Sequence, residues 1–167
     1  MSAWEVILAT LTSEFSDLSD IEQATRVTLR LVLAAFLGGI LGYEREHQGK
    51  AAGVRTHMLV CLGAALFVLA PDQGGAMDDA MSRVIQGVVA GVGFLCAGTI
   101  IKSGSLAEVR GLTTAAGIWL TAAIGVAIGL GHEATALLAT ILALFILHLL
   151  PLILGKDDKK DSKADEG

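Results

Sequence analysis

Charge is scarce in this chain: Asp, Glu, Lys and Arg together make up 17% of its 167 residues, where soluble domains carry about a quarter. Proline occurs twice and cysteine twice. Each shortage excludes something. So few charges cannot cover the surface of a soluble enzyme. The cysteines, Cys61 and Cys96, both lie inside apolar runs, so they read as small buried hydrophobes rather than a disulfide framework, and their spacing matches no metal motif. No basic stretch is interleaved with aromatics, which excludes nucleic acid as a partner. Residues 1–20 lack a basic start and contain Glu5, Glu14 and Asp17, so no secretory signal peptide is expected. There is no Ser-His-Asp arrangement, no HExxH and no phosphate loop. The chain is accordingly expected not to be an enzyme and to need no cofactor.

What is present is apolar and rich in glycine. Hydrophobic residues make up 53% of the chain, mean hydropathy is +0.66, and there are 20 glycines. This composition predicts an all-α, polytopic transmembrane bundle of about five spanning helices in a lipid bilayer. An N-terminal interfacial segment is expected over 1–20. Ser2 and Glu5 form a capping box, and Trp4, Leu8, Leu11, Phe15 and Leu18 recur at helical spacing. A second capping box, Ser19 with Glu22, opens the first spanning helix, about 21–43. The others are expected at about 55–70 (closed by Pro71), 84–101, 112–130 and 134–154. The transmembrane domain is thus 21–154, followed by a charged, disordered tail at 155–167.

Lys and Arg in short loops set the orientation. Arg45, Lys50 and Arg55, then Lys102 and Arg110, then Lys156, Lys159, Lys160 and Lys163 all fall on one side of a five-span topology. Arg26, Arg30 and Arg83 are exceptions. The balance predicts an outside N-terminus and a cytoplasmic C-terminus. Arg26 and Arg30 lie near a helix start and are expected to snorkel.

Inside lipid, apolar attraction cannot drive helix pairing, so small residues that let backbones approach take over. Gly38 with Gly42, Gly87 with Gly91, and Gly125 with Gly129 make small-xxx-small pairs on the first, third and fourth spanning helices. Those three helices are therefore expected to form the packed core, with the Leu- and Ile-rich fifth facing lipid.

The densest polar cluster is Glu44, Arg45, Glu46, His47, Arg55, Thr56 and His57, and on the same expected side stand Arg110, Thr113 and Thr114. Two readings are open. Glu44 and Glu46 are weak candidates for holding a hydrated Mg²⁺, which takes one or two carboxylates and keeps its waters. Alternatively they pair with Arg55 or Arg110 and fasten the loops, which is the favoured reading. Thr113, Thr114 and Thr121 are expected to bond back to their helix or across to a neighbour. Trp119, near mid-span, is expected to pack between helices or, less favoured, to line a cavity.

Four ordered stretches carry a family resemblance. Gly38-Gly39-Ile40-Leu41-Gly42-Tyr43-Glu44-Arg45-Glu46, Ala52-Gly53-Val54-Arg55-Thr56-His57, Gly91-Val92-Gly93-Phe94-Leu95-Cys96-Ala97-Gly98 and Val109-Arg110-Gly111-Leu112-Thr113-Thr114-Ala115-Ala116 resemble the MgtC/SapB family membrane domain. The resemblance covers roughly residues 26–131. It implies a multi-pass protein of the bacterial inner membrane, linked to growth when Mg²⁺ is scarce and, in some pathogens, to virulence. It also implies action on another membrane complex, the F-type ATP synthase in the best-known members. Those members carry a soluble C-terminal domain, where a short charged tail follows Leu154 here. They have Asn and Cys in the fourth-helix region, where this chain has Thr113 and Thr121. The expected function is a non-enzymatic membrane regulator. The alternative is a small homo-oligomeric transporter or channel, expected as a homodimer, for Mg²⁺ or another small solute.

Overall fold

A computed structural model describes residues 2–14, 16, 20–73, 78–101 and 111–149, and every regular element among them is helical. Helix α1 (Ala3–Glu14) is followed by α2 (Ile21–His47), α3 (Val54–Gln73), α4 (Asp78–Ile101), α5 (Leu112–Gly129) and α6 (Glu133–Leu144), and a π-helical turn, Phe145–Leu149, extends α6. Helices α2 to α5 are each long and apolar enough to cross a membrane. The fifth apolar helix is shorter over its described part, Glu133–His148. The expected tail and the end of the fifth span lie outside the described residues.

The capping box at Ser2 is present. The Ser2 amide donates to Glu5 Oε2 at 2.8 Å and the Glu5 amide to Ser2 Oγ at 3.4 Å. The next cap differs from expectation. Asp20 takes the position, accepting from the Glu22 amide at 3.2 Å, while Ser19 lies outside the described residues. Asp20 immediately precedes the first helical residue, so its short carboxylate is the one within reach of the free amide. Glu22 instead pairs with Arg26 one turn on, at 2.7 Å on an exposed face. Helix α3 carries Pro71 in its final turn and continues to Gln73, three residues beyond the expected end.

The core is organised around α3 and α5. On α2 the buried positions are Ala34, Leu37, Gly38, Leu41, Gly42 and Arg45, a single stripe at three- and four-residue steps. That stripe packs on α3, whose buried side carries His57, Cys61, Ala64, Ala65, Val68 and Leu69. Helix α5 covers another side of α3 and is buried over 56% of its span, against 11% for α4. The expected core therefore needs correction: the second spanning helix belongs at its centre and the third lies at its edge.

The glycines show why. A Cβ on Gly38 would stand 2.6 Å from the His57 carbonyl oxygen, and one on Gly42 would stand 2.6 Å from Val54 Cα. A Cβ on Gly125 would collide with the Cys61 carbonyl, and one on Gly129 would stand 2.8 Å from the Ala65 carbonyl. All four glycines admit the backbone of α3, so α3 is clasped between two glycine faces while having small side chains of its own. Gly87 and Gly91 on α4 have nothing within 4 Å of where a Cβ would sit. Helix α4 instead meets α5 through Val88 and Val92 packed with Ile118, Ala122 and Val126, and through the Cys96 thiol, 3.2 Å from the Ala115 carbonyl.

Candidate polar site at the α2–α3 end

Helix α2 ends in a Schellman motif on Gly49 (φ +66°). The Lys50 amide donates to the Arg45 carbonyl at 3.0 Å and the Gly49 amide to the Glu46 carbonyl at 2.9 Å. This sharp stop turns the chain back towards α3 and concentrates the polar residues of the hairpin.

Arg45 is the largest fully buried side chain among the described residues. Its Nε donates to Glu44 Oε2 at 2.6 Å, and its Nη2 donates to Glu44 Oε1 at 3.0 Å and to Gln48 Oε1 at 2.9 Å. The Gln48 amide nitrogen donates back to Glu44 Oε1 and, at 3.4 Å, to the Leu147 carbonyl of the π turn. A buried guanidinium is costly unless its charge is matched and its donors are engaged; the bidentate carboxylate does both. Gln48 extends the cluster to the end of the α6 segment.

Glu46 has a separate task. Its Oε2 accepts from the Val54 amide at 2.9 Å, holding one of the free amides at the start of α3. Both carboxylates thus fasten the hairpin, as favoured from sequence, but with other partners. Glu44 pairs with its neighbour Arg45 and Glu46 with backbone, not with Arg55. Among the described residues no group of three or more His, Cys, Asp and Glu side chains is placed to hold a metal ion.

His57 is buried beneath this cluster. Its Nδ1 lies 3.0 Å from the Gly53 carbonyl, which assigns the proton to Nδ1 and leaves Nε2 as an acceptor. Nε2 is buried without a hydrogen-bond partner and faces α5 at Gly117, where a Cβ would stand 3.7 Å away. Among the described residues, the remaining expected site residues do not join the cluster. Arg55, Thr56 and Thr113 are exposed, Thr114 is buried, and Arg110 lies outside the described residues. Thr121 bonds back to the Gly117 carbonyl at 2.8 Å, the helix-internal option expected for it. Trp119 is half-exposed and lines a small apolar groove of about 130 Å³ between α4 and α5.

A second polar tie, at the opposite end of α2, was not anticipated. Arg30 does not snorkel. It crosses to the α5–α6 turn, donating from Nη1 to the Gly129 carbonyl at 3.0 Å and from Nε to Glu133 Oε1 at 3.2 Å. That turn is also a Schellman motif, with the His132 amide bonded to the Ala127 carbonyl at 2.8 Å and the Gly131 amide to the Ile128 carbonyl at 3.0 Å. Gly131 has φ +83°, and a Cβ there would collide with the Arg30 guanidinium. The left-handed backbone favours glycine at this position.

The model of the MgtC family matches residues 31–155. Protein SrpB of Synechococcus elongatus is 44% identical over 132 residues, covering 72% of each chain. The Escherichia coli K12 protein named "Putative magnesium transporter YhiD" is 41% identical over 128 residues, covering 72% of this chain and 59% of YhiD. Protein MgtC of Salmonella typhimurium is 44% identical over 116 residues, covering 70% of this chain and 48% of MgtC. The chain therefore spans between about half and three quarters of the length of these relatives. No solved structure matches it.

Proposed function

The chain belongs to the MgtC family, and on that premise we propose that it is a Mg²⁺-related, non-enzymatic membrane protein that works by docking onto another membrane complex. The observation that carries this reading is the division of its glycines. Gly38 and Gly42 on α2 and Gly125 and Gly129 on α5 are filled by the α3 backbone, whereas Gly87 and Gly91 of α4 open onto an apolar cavity of about 630 Å³ between α3 and α4. Its walls include Val60, Gly63, Ala64, Phe67 and Val88. A face without side chains is what a partner helix needs for close backbone approach in lipid, where small residues carry association. The buried charges support the same reading. Arg45 and Arg30 are each matched by a carboxylate inside the chain, so they act as structural ties.

In this reading the protein lies in the bacterial inner membrane with its N-terminus outside, and the F-type ATP synthase is the first partner to test. A photo-crosslinking residue at position 91, used in native membranes, is expected to give a discrete adduct with a different membrane protein. The same probe at Leu138, on the exposed side of α6, serves as the control. Equal labelling from both positions, or an adduct with lipid alone, refutes docking through α4. The name of YhiD favours transport as a second reading. It requires Mg²⁺ flux through the purified chain, or through an oligomer of it, in liposomes.

A further inference from the structure

His57 and Gly117 each pose a question that packing leaves open, and they meet at one point between α3 and α5. His57 is 1% exposed. Its Nδ1 proton is directed to the Gly53 carbonyl at 3.0 Å. Its Nε2, an acceptor in that tautomer, has no hydrogen-bond partner among the described residues. A buried acceptor without a donor forfeits its hydration and gains nothing in return. Native structures resolve this with a protein group or an ordered water.

Gly117 lies on the buried side of α5, in a helix interior, where glycine is less favourable than alanine. Steric need explains Gly125 and Gly129, where a Cβ would collide with α3. It does not explain Gly117. Beyond its own turn of helix, a Cβ there would meet one atom among the described residues, His57 Nε2, at 3.7 Å, an ordinary contact distance. Alanine would fit. What alanine would remove is a methyl-sized space set against the unpartnered nitrogen. Polar groups lie one turn to either side. Thr114 and Thr121, both buried, stand three residues before and four after Gly117, the steps that share a helix face. Thr121 Oγ donates to the Gly117 carbonyl at 2.8 Å, which leaves lone pairs on that oxygen to accept.

We propose that the space over Gly117 binds one water molecule, which donates to His57 Nε2 and takes its second partner from the Thr114–Thr121 face of α5. A water has the size the space allows and the donor the imidazole lacks, and a buried water needs at least two polar partners. Gly117 is then a binding residue rather than a packing one. The water joins the two central helices through a polar contact that neither makes alone.

Nuclear magnetic resonance of the full chain with ¹⁵N-labelled histidine, in detergent micelles, tests this. The His57 signals are assigned by their loss in His57→Gln. The expected result is an Nε2 that carries no proton of its own, accepts a hydrogen bond, and shows magnetisation transfer from a water proton. Gly117→Ala is expected to abolish that transfer and to lower the unfolding temperature by about 2–4 °C, because Nε2 is then stranded. Gly117→Ser places a hydroxyl within reach of the same nitrogen. It is expected to unfold at a higher temperature than Gly117→Ala, the reverse of the order that helix propensity gives. A wild-type Nε2 that is protonated, or that shows no water contact, overturns the proposal whether or not the variants fold. So does a Gly117→Ala protein at least as stable as both wild type and Gly117→Ser.

Discussion

Replacing Gly38 by alanine adds a single carbon atom, and the structure specifies what that atom meets. It would stand 2.6 Å from the His57 carbonyl oxygen and 2.9 Å from Cys61 Cβ, where real Cβ atoms essentially never approach closer than 3.0 Å. Neither obstacle is the free end of a flexible side chain, so α3 itself must move. Helix α3 cannot simply retreat, because Gly125 holds it from α5 through the Cys61 carbonyl and Ala64 Cβ. Overpacking of this kind costs about 1–3 kcal/mol, partly offset by the gain of up to about 1 kcal/mol in helix propensity. Gly91→Ala has the same propensity gain and meets nothing within 4 Å, so it should be neutral or mildly stabilising. Reversible unfolding in mixed micelles is expected to rank Gly91→Ala at or above wild type and Gly38→Ala below it by about 1–2 kcal/mol. The double variant Gly38→Ala/Gly125→Ala should depart from additivity by more than about 0.5 kcal/mol, since both push on Cys61. Equal effects at positions 38 and 91, or additive effects at 38 and 125, would refute the clasp.

Arg45→Ala, which strands the Glu44 carboxylate, should lower stability by about 3 kcal/mol or more, seen as loss of a monodisperse peak in detergent, while Arg55→Ala on the exposed surface should leave the peak intact. Glu46→Ala removes the acceptor of the Val54 amide; hydrogen exchange in the first turn of α3 should quicken, with a stability loss of about 1 kcal/mol. Arg30 and Glu133 should show a coupling of about 1 kcal/mol in a double-mutant cycle, and Gly131→Ala should be worse than either single change, because it meets both a left-handed backbone and the Arg30 guanidinium.

Several features could be read from the chain alone because their causes are local. The Ser2–Glu5 box needs only two residues three apart, and the Gly38–Gly42 face needs only a helical period; α2 itself runs on to His47, four residues past its expected end. The Thr121 back-bond likewise stays within one turn. What escaped had causes elsewhere in the chain. The pairs Gly38/Gly42 and Gly87/Gly91 have the same spacing, yet one is filled by α3 and the other is open; spacing gives a face but not its neighbour. Helix α3 has no small-xxx-small glycine pair, so its central position was hidden. It supplies the backbone that the glycines of α2 and α5 admit. Arg30 meets residues about a hundred positions away, beyond any local pattern. The Arg45–Glu44 pair joins consecutive residues that a helix normally points apart, and only burial forces them to curl together. Arg110, prominent in the sequence reading, lies outside the described residues.

In the proposed function the buried charges of the bundle are internal ties and its open α4 face serves a partner. Mg²⁺ uptake by liposomes containing the purified chain tests this most directly. The expected result is uptake no greater than in protein-free liposomes, unchanged by an imposed proton gradient. Saturable Mg²⁺ uptake that vanishes in a folded variant of the Glu44–Arg45–His57 cluster would contradict it and make the chain a transporter.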